Sequence, residues 1–209
     1  MAEVSLNRRS LAEADLPVYP GVLLQQVILV DHAEKAVAAQ AALLAQAVIG
    51  FDSESKPTFR KGEVSTGPHL IQLATAEQVY LLPTVHDFNR TILQGILSAE
   101  SVLKVGFGLG NDRSALLSRF GIELRPVLDL GEVLRGTGHR GTVGAKVAVA
   151  HFFGQKLHKS KKLGTSNWAS ATLSERQILY AANDARVALD IYKVWTAERS
   201  ARKIHPSHS

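Results

Sequence analysis

Cysteine is absent from the 209-residue sequence, which excludes disulfides, thiolate zinc sites and a cysteine nucleophile together. No run approaches the ~18 consecutive apolar residues of a membrane-spanning helix. The N-terminus carries Glu3, Glu13 and Asp15 and has no apolar stretch after Arg8-Arg9, so no secretory leader is expected. Disorder is also excluded, because 45% of residues are apolar and only 21% are charged. What remains is a soluble cytoplasmic protein, without a membrane partner, long enough for one α/β domain with a sizeable core.

Acids are missing from one region in particular. The chain has 24 Lys+Arg against 19 Asp+Glu, a formal net charge of +5, which alone identifies no partner. From Val133 to Thr172, however, there is no Asp or Glu, while Arg135, Arg140, Lys146, Lys156, Lys159, Lys161 and Lys162 all fall there. Such a segment is either a solvated basic face or a surface that meets phosphates.

The first 25 residues show no steady hydrophobic period and read as an arm. Gln26–Val30 predicts a strand, and Asp31 with Glu34 predicts a capping box opening an Ala-rich helix to about Gln46. Ala47–Phe51 has the apolar content of a central strand. The segment Lys56–Pro68 predicts a loop. His69–Ala74 and Val79–Leu82 predict an antiparallel hairpin. A helix over Phe88–Leu97, a strand over Val102–Val105, a glycine-rich turn and a second helix follow. Pro126–Leu128 predicts the last strand, and Gly131–Leu134, Val143–Phe153 and Ser174–Trp195 predict helices, the last with a Ser174/Gln177 capping box. The polar stretch 199–209 reads as a fraying tail. Strands and helices in this order predict an α/β fold, a mixed sheet flanked by helices.

Three patterns could carry chemistry. Asp52-Ser53-Glu54 ends an apolar strand, where residues two apart face the same side. Two carboxylates so close disfavour each other's ionisation unless a cation intervenes, and oxygen donors of this kind suit magnesium or manganese. A loop start with two solvated acids has the same pattern. Asp112 follows the turn Gly106-Phe107-Gly108-Leu109-Gly110 at the start of a helix, where simple capping would also explain it. These glycines do not form a dinucleotide fingerprint, since the third is one place early. Tyr180 and Asp184 lie one helical turn apart and share a face.

In combination, Asp52, Glu54, Asp112, Tyr180 and Asp184 resemble the DEDD superfamily of 3′-5′ exonucleases in its tyrosine branch, that of RNase D and the Werner-type exonuclease domain. Leu70-Ile71-Gln72-Leu73 and Asn167-Trp168 add to the likeness, which spans about Val27 to Trp195. Gly108 departs from it, standing where the polymerase proofreading domain has a substrate-touching asparagine. Thr142-Val143 departs from the usual Gly-Leu helix opening.

The resemblance implies a ribonuclease H-like mixed sheet and an exonuclease domain over residues 26–198. It also implies two divalent ions, Mg²⁺ or Mn²⁺, held by Asp52, Glu54, Asp112 and Asp184, and a water oriented by Tyr180. The implied reaction removes nucleoside 5′-monophosphates from 3′ ends of single-stranded or recessed DNA or RNA. Phe107, Lys159, Lys161, Lys162 and Trp168 are the candidate substrate contacts. A nuclease restricted to very short oligonucleotides, and a binding module without catalysis, are the rival expectations. His151 and His158 lack a second ligand pair and read as structural or solvated.

Overall fold

Two runs of β-branched and aliphatic residues dominate the middle of the chain, and they form the centre of the sheet. The computed structural model describes residues 16–58, 60, 62–135 and 141–204, with side chains through 201. Residues 1–15 of the expected arm, Arg140 of the acid-free stretch and residues 205–209 of the expected tail lie outside the described residues.

The strands are β1 (Val27–Leu29), β2 (Val48–Glu54), β3 (Leu70–Ala74), β4 (Val79–Pro83), β5 (Leu103–Gly106) and β6 (Val127–Asp129). They form one mixed sheet of order β1-β4-β3-β2-β5-β6. β3 runs antiparallel to both its neighbours, β4 and β2, the β3–β4 pair being the expected hairpin; β1 joins β4 in parallel on one side, and β5 joins β2 and β6 joins β5 in parallel on the other. Both β3 and β4 are buried almost throughout, as expected of strands covered on both faces.

The helices are α1 (Ala33–Leu44), α2 (Asp87–Leu97), α3 (Gly110–Phe120), α4 (Leu130–Val133), α5 (Ala145–Phe153), α6 (Lys161–Gly164) and α7 (Glu175–Ile204). Leu43, Leu93, Ile96, Leu97 and Leu116 of α1, α2 and α3 pack on Ile49, Phe51, Ile71 and Leu73 of the sheet, all with essentially no exposure. On the other face Ala181, Ala182, Ala185 and Leu189 of α7 meet Leu70, Ala74, Leu81 and Val105. Strand alternation sends the side chains of one strand to both layers.

Several local expectations change. The capping box at Asp31 does not form: His32 occupies the N-cap of α1 without a side-chain bond. Lys35, one turn on, draws the Asp31 carboxylate to 2.7 Å instead. The box at Ser174 does form, with Ser174 N–H donating to Gln177 at 3.0 Å and Gln177 N–H to Ser174 at 3.3 Å. The helix expected from Val143 starts at Ala145, because Gly144 before it is extended and serves as the N-cap; Val143 N–H donates to the carbonyl of Gly131. α6 has no counterpart among the expected elements; Ser160 caps it by accepting from Leu163 N–H. The last helix, expected to end near Trp195, continues as α7 through Ile204, and Arg199 lies 4.9 Å over the Trp195 ring. Of the expected arm, Val18 pairs with Lys156 and the Tyr19 hydroxyl donates to Asp190 at 2.6 Å. Among the described residues no helix is long and apolar enough to cross a membrane.

Candidate active site

The acids of β2 owe their place to the register of the sheet. Asp52 pairs with Gln72 and Glu54 with Leu70, and Leu70 belongs to the layer under α7. The β2 positions of even number therefore face that helix. Close approach is possible because Gly50, on the same face, has no side chain. A Cβ there would stand 2.0 Å from the carbonyl oxygen of Ala185. With glycine below and alanines above, the α7 backbone sits almost on the strand, and its next turn carries Asp184 and Tyr180 to the carboxylates.

Asp184 is 8% exposed, and the Tyr180 hydroxyl lies close enough for each group to act on the other's ionisation. Gly164 of α6 makes room for that hydroxyl, since a Cβ at Gly164 would lie 2.9 Å from it. Lys159 Nζ reaches Asp184 Oδ1 at 2.9 Å. Asp112 comes from the first turn of α3, but it is not a cap, because α3 has no side-chain capping bond. Its carboxylate accepts a short hydrogen bond from the Ser53 hydroxyl. Ser53 alternates away from Asp52 and Glu54, so it ties α3 to the strand between the two acids.

Burial and like charge dominate the electrostatics. Burial, reinforced by Asp184, holds Asp52 far above the usual carboxylate range. Burial together with Asp52 and Asp184 pushes Glu54 to about 9. Asp184 is raised by burial against the opposing pull of Lys159 and Tyr180. Asp112 is raised by burial, which its bond from Ser53 partly offsets. Tyr180 is also raised, by burial and then by Asp184, Glu54 and Asp52, so its proton stays on at neutral pH. Lys159 is raised because these acids outweigh the desolvation of its ammonium.

Such a donor set fits a hard divalent cation in its chemistry: carboxylate oxygens only, each made costly by its neighbours. In the arrangement described, no three acids or histidines stand together as a ready ligand set among the described residues. Lys159 and Ser53 occupy two of the carboxylates instead.

The other candidates are placed as follows. Trp168 is 2% exposed and its ring centroid lies 6.0 Å from that of Tyr180, so it is a wall of the site and offers little face for stacking. Phe107 is half-buried against the cluster of Leu130 and Val149. Lys161 and Lys162 are exposed on α6. His158 is exposed, and His151 packs edge-on to Phe152.

One residue escaped the sequence reading. Asp129, at the end of β6, accepts from the N–H groups of Gly108, Leu109 and Gly131 at 3.0, 2.7 and 2.8 Å. It thereby fixes the turn that delivers Asp112 and caps α4. An Asp just before Leu-Gly at a helix start was the available signal.

Residues 27–198 match the sequence profile of a 3′-5′ exonuclease family. The chain belongs to that family. Among relatives of the exonuclease family, the chain is 32% identical over 150 residues to the bifunctional 3′-5′ exonuclease/ATP-dependent helicase WRN of Mus musculus. That match covers 70% of this chain and 11% of the relative, and the chain spans about half or less of the other curated relatives it matches. Its fold is similar to the Nibbler EXO domain of Aedes aegypti, with a TM-score of 0.68 and 29% identity over 83% of this chain and 88% of that one. Trypanosoma brucei RNase D, solved with the RNA U12, shares the fold at a TM-score of 0.71 and 21% identity, covering 80% and 61% of the two chains. The family's exonuclease domains use divalent metal ions in general.

Proposed function

We propose that this protein is a metal-dependent 3′-5′ exonuclease that releases nucleoside 5′-monophosphates from 3′ ends of single-stranded or recessed DNA or RNA. The observation that carries this reading is the convergence of Asp52, Glu54, Tyr180 and Asp184 on the α7 face at the end of β2, with the charge of Asp112 acting on both strand acids.

Asp52, Glu54 and Asp184 would hold one divalent ion, and Asp52 with Asp112 would support a second. Mg²⁺ or Mn²⁺ bound there supplies positive charge to the scissile phosphate and lowers the pKa of a coordinated water. The chain's own groups do the rest. Tyr180, protonated and beside Asp184, presents its oxygen lone pair to the attacking water and orients it. Trp168 and Gly164 hold the Tyr180 ring and hydroxyl in place.

The surroundings suit a polyanion. A cleft of about 400 Å³ opens beside α6, with Lys162 and Arg176 among serine and amide side chains. A second, of about 300 Å³, is bordered by His69, Arg90, Arg119 and Phe120. Neither is lined by a single Asp or Glu, and Ser170 belongs to both. Lys159, Lys161 and Lys162 supply phosphate contacts from the acid-free segment, Trp168 borders the second cleft without stacking bases openly, and Phe107 packs with Leu130 and Val149.

The test is a panel of 5′-labelled RNA, DNA, recessed duplex and dinucleotide substrates, each with Mg²⁺, Mn²⁺ or chelator. The expected result is a metal-dependent ladder shortening from the 3′ end, with 5′-monophosphates as products. Binding without cleavage under every divalent ion would overturn it. Turnover confined to the dinucleotide would replace it with a short-oligonucleotide nuclease.

A further inference from the structure

The α7 end of β2 presents a problem of charge that the chain solves without help. Asp52, Glu54 and Asp184 act on one another's charge in a poorly hydrated region, and like charges there resist ionising together. Among the described residues, the cation that acts on all three is Lys159. Its Nζ sits 2.9 Å from Asp184 Oδ1, with the Asp184 side chain 5% exposed and that of Lys159 32% exposed. The ammonium is therefore seated on a buried carboxylate while about a third of the lysine side chain remains exposed.

The backbone at Lys159 is well held, because Ser160 next to it caps α6. The side chain is not committed in the same way. Four methylenes carry a compact charge with three rotatable donors, a geometry suited to changing partners. The same short segment places Gly164 beneath the Tyr180 hydroxyl, so the lysine and the tyrosine share one support.

We infer that Lys159 is the internal counter-ion of the metal-free centre, holding Asp184 beside Asp52 and Glu54 until a divalent ion displaces its ammonium toward the incoming phosphate. This exchange rests on the metal-dependent nuclease reading; the pairing in the metal-free protein does not. It makes metal binding a substitution of one cation for another. The centre then stays assembled between turnovers, and metal affinity is lower than the carboxylates alone would give. Lys159 is on this account a positioning residue in the resting protein.

The experiment compares the full chain with Lys159→Met, which keeps the stem and removes the charge, in thermal melts with chelator and with saturating Mn²⁺. In chelator the variant is expected to melt about 5–10 °C lower, because buried Asp184 loses its ion-pair partner beside two further acids. Mn²⁺ should close that gap and should bind the variant about tenfold more tightly by calorimetry. Adding Asp52→Asn to Lys159→Met should restore the melting point in chelator, since one charge fewer then needs neutralising. Lys159→Arg should melt with the wild type, and this arm carries the test if the methionine variant does not fold.

A gap of equal size with and without Mn²⁺ would overturn the exchange, because ordinary packing would explain it. Equal melting in chelator with unchanged Mn²⁺ affinity would overturn the counter-ion itself. Failure of the wild type to cleave under Mn²⁺ would strike the nuclease reading alone, since melts in chelator do not depend on turnover.

Discussion

The two faces of the sheet are built from different residues for different ends. Under α1, α2 and α3 the layer is large and aliphatic: Leu43, Ile49, Phe51, Ile71, Leu73, Leu93 and Ile96 are sealed from solvent. Under α7 the helix contributes Ala181, Ala182 and Ala185, and the strand offers Gly50. The first face maximises apolar area removed from water. The second gives up side-chain volume so that backbone can approach backbone, and the reach gained brings Tyr180 and Asp184 to Asp52 and Glu54. Both faces bury apolar side chains, but the unfavourable charge lies on the α7 side alone.

The largest effect that would break this comparison is Gly50→Ala. Its Cβ would meet the Ala185 carbonyl at 2.0 Å, far inside contact distance. Either α7 lifts or the chain fails to fold. The expected outcome is loss of nuclease activity and a much lower melting point, measured by melts and 3′-end digestion. The reverse separation comes from Asp52→Asn, which should lower kcat by more than about 100-fold, beyond the usual effect of a group that only orients a ligand. It should raise the melting point in chelator, because the folded state no longer has to hold a carboxyl group far above its ordinary range.

Leu43→Ala probes the aliphatic face alone. Leu43 is fully buried, and truncation is expected to cost about 2–5 kcal/mol in chemical denaturation. At a temperature where the variant is folded, kcat should match the wild type.

The charged face also predicts a pH dependence. Glu54 is raised to about 9 in the folded protein, against its ordinary value of 4.5. Between those values the folded state holds a proton that the unfolded state has released, so stability falls as pH rises. Melts in chelator should therefore decline from about pH 5 to pH 9, and Glu54→Gln should flatten the slope. Saturating Mn²⁺ should flatten it as well. The smallest expected effect is that of Lys162→Ala, an exposed position in the α6 cleft. Binding should weaken uniformly across sequences, with the slope of affinity against salt reduced by about one unit.

Much of this division was legible in the order of residues. The apolar run ending in Asp52-Ser53-Glu54 specified a buried strand with acids at its tip, and alternation specified that both acids share a face. Tyr180 and Asp184, a turn apart among alanines, specified a helix able to come close. What was not legible acts across distance. Asp129 grips N–H groups at Gly108 and Leu109, and no local pattern announces that bond. Asp112 reads as a cap, yet its partner is Ser53 on a strand far away in sequence. Lys159 reads as one more phosphate-facing cation of the acid-free segment, whereas its nearest acid is Asp184. α6 is only one turn long, too short to have a hydrophobic period.

The most direct test of the central claim is anomalous diffraction from crystals soaked in Mn²⁺ with a nucleoside 5′-monophosphate. The account predicts manganese peaks bounded by Asp52, Glu54 and Asp184, with Lys159 Nζ withdrawn from Asp184 and the Tyr180 hydroxyl facing the phosphate. Manganese absent from those carboxylates, or seated elsewhere on the protein, would contradict it.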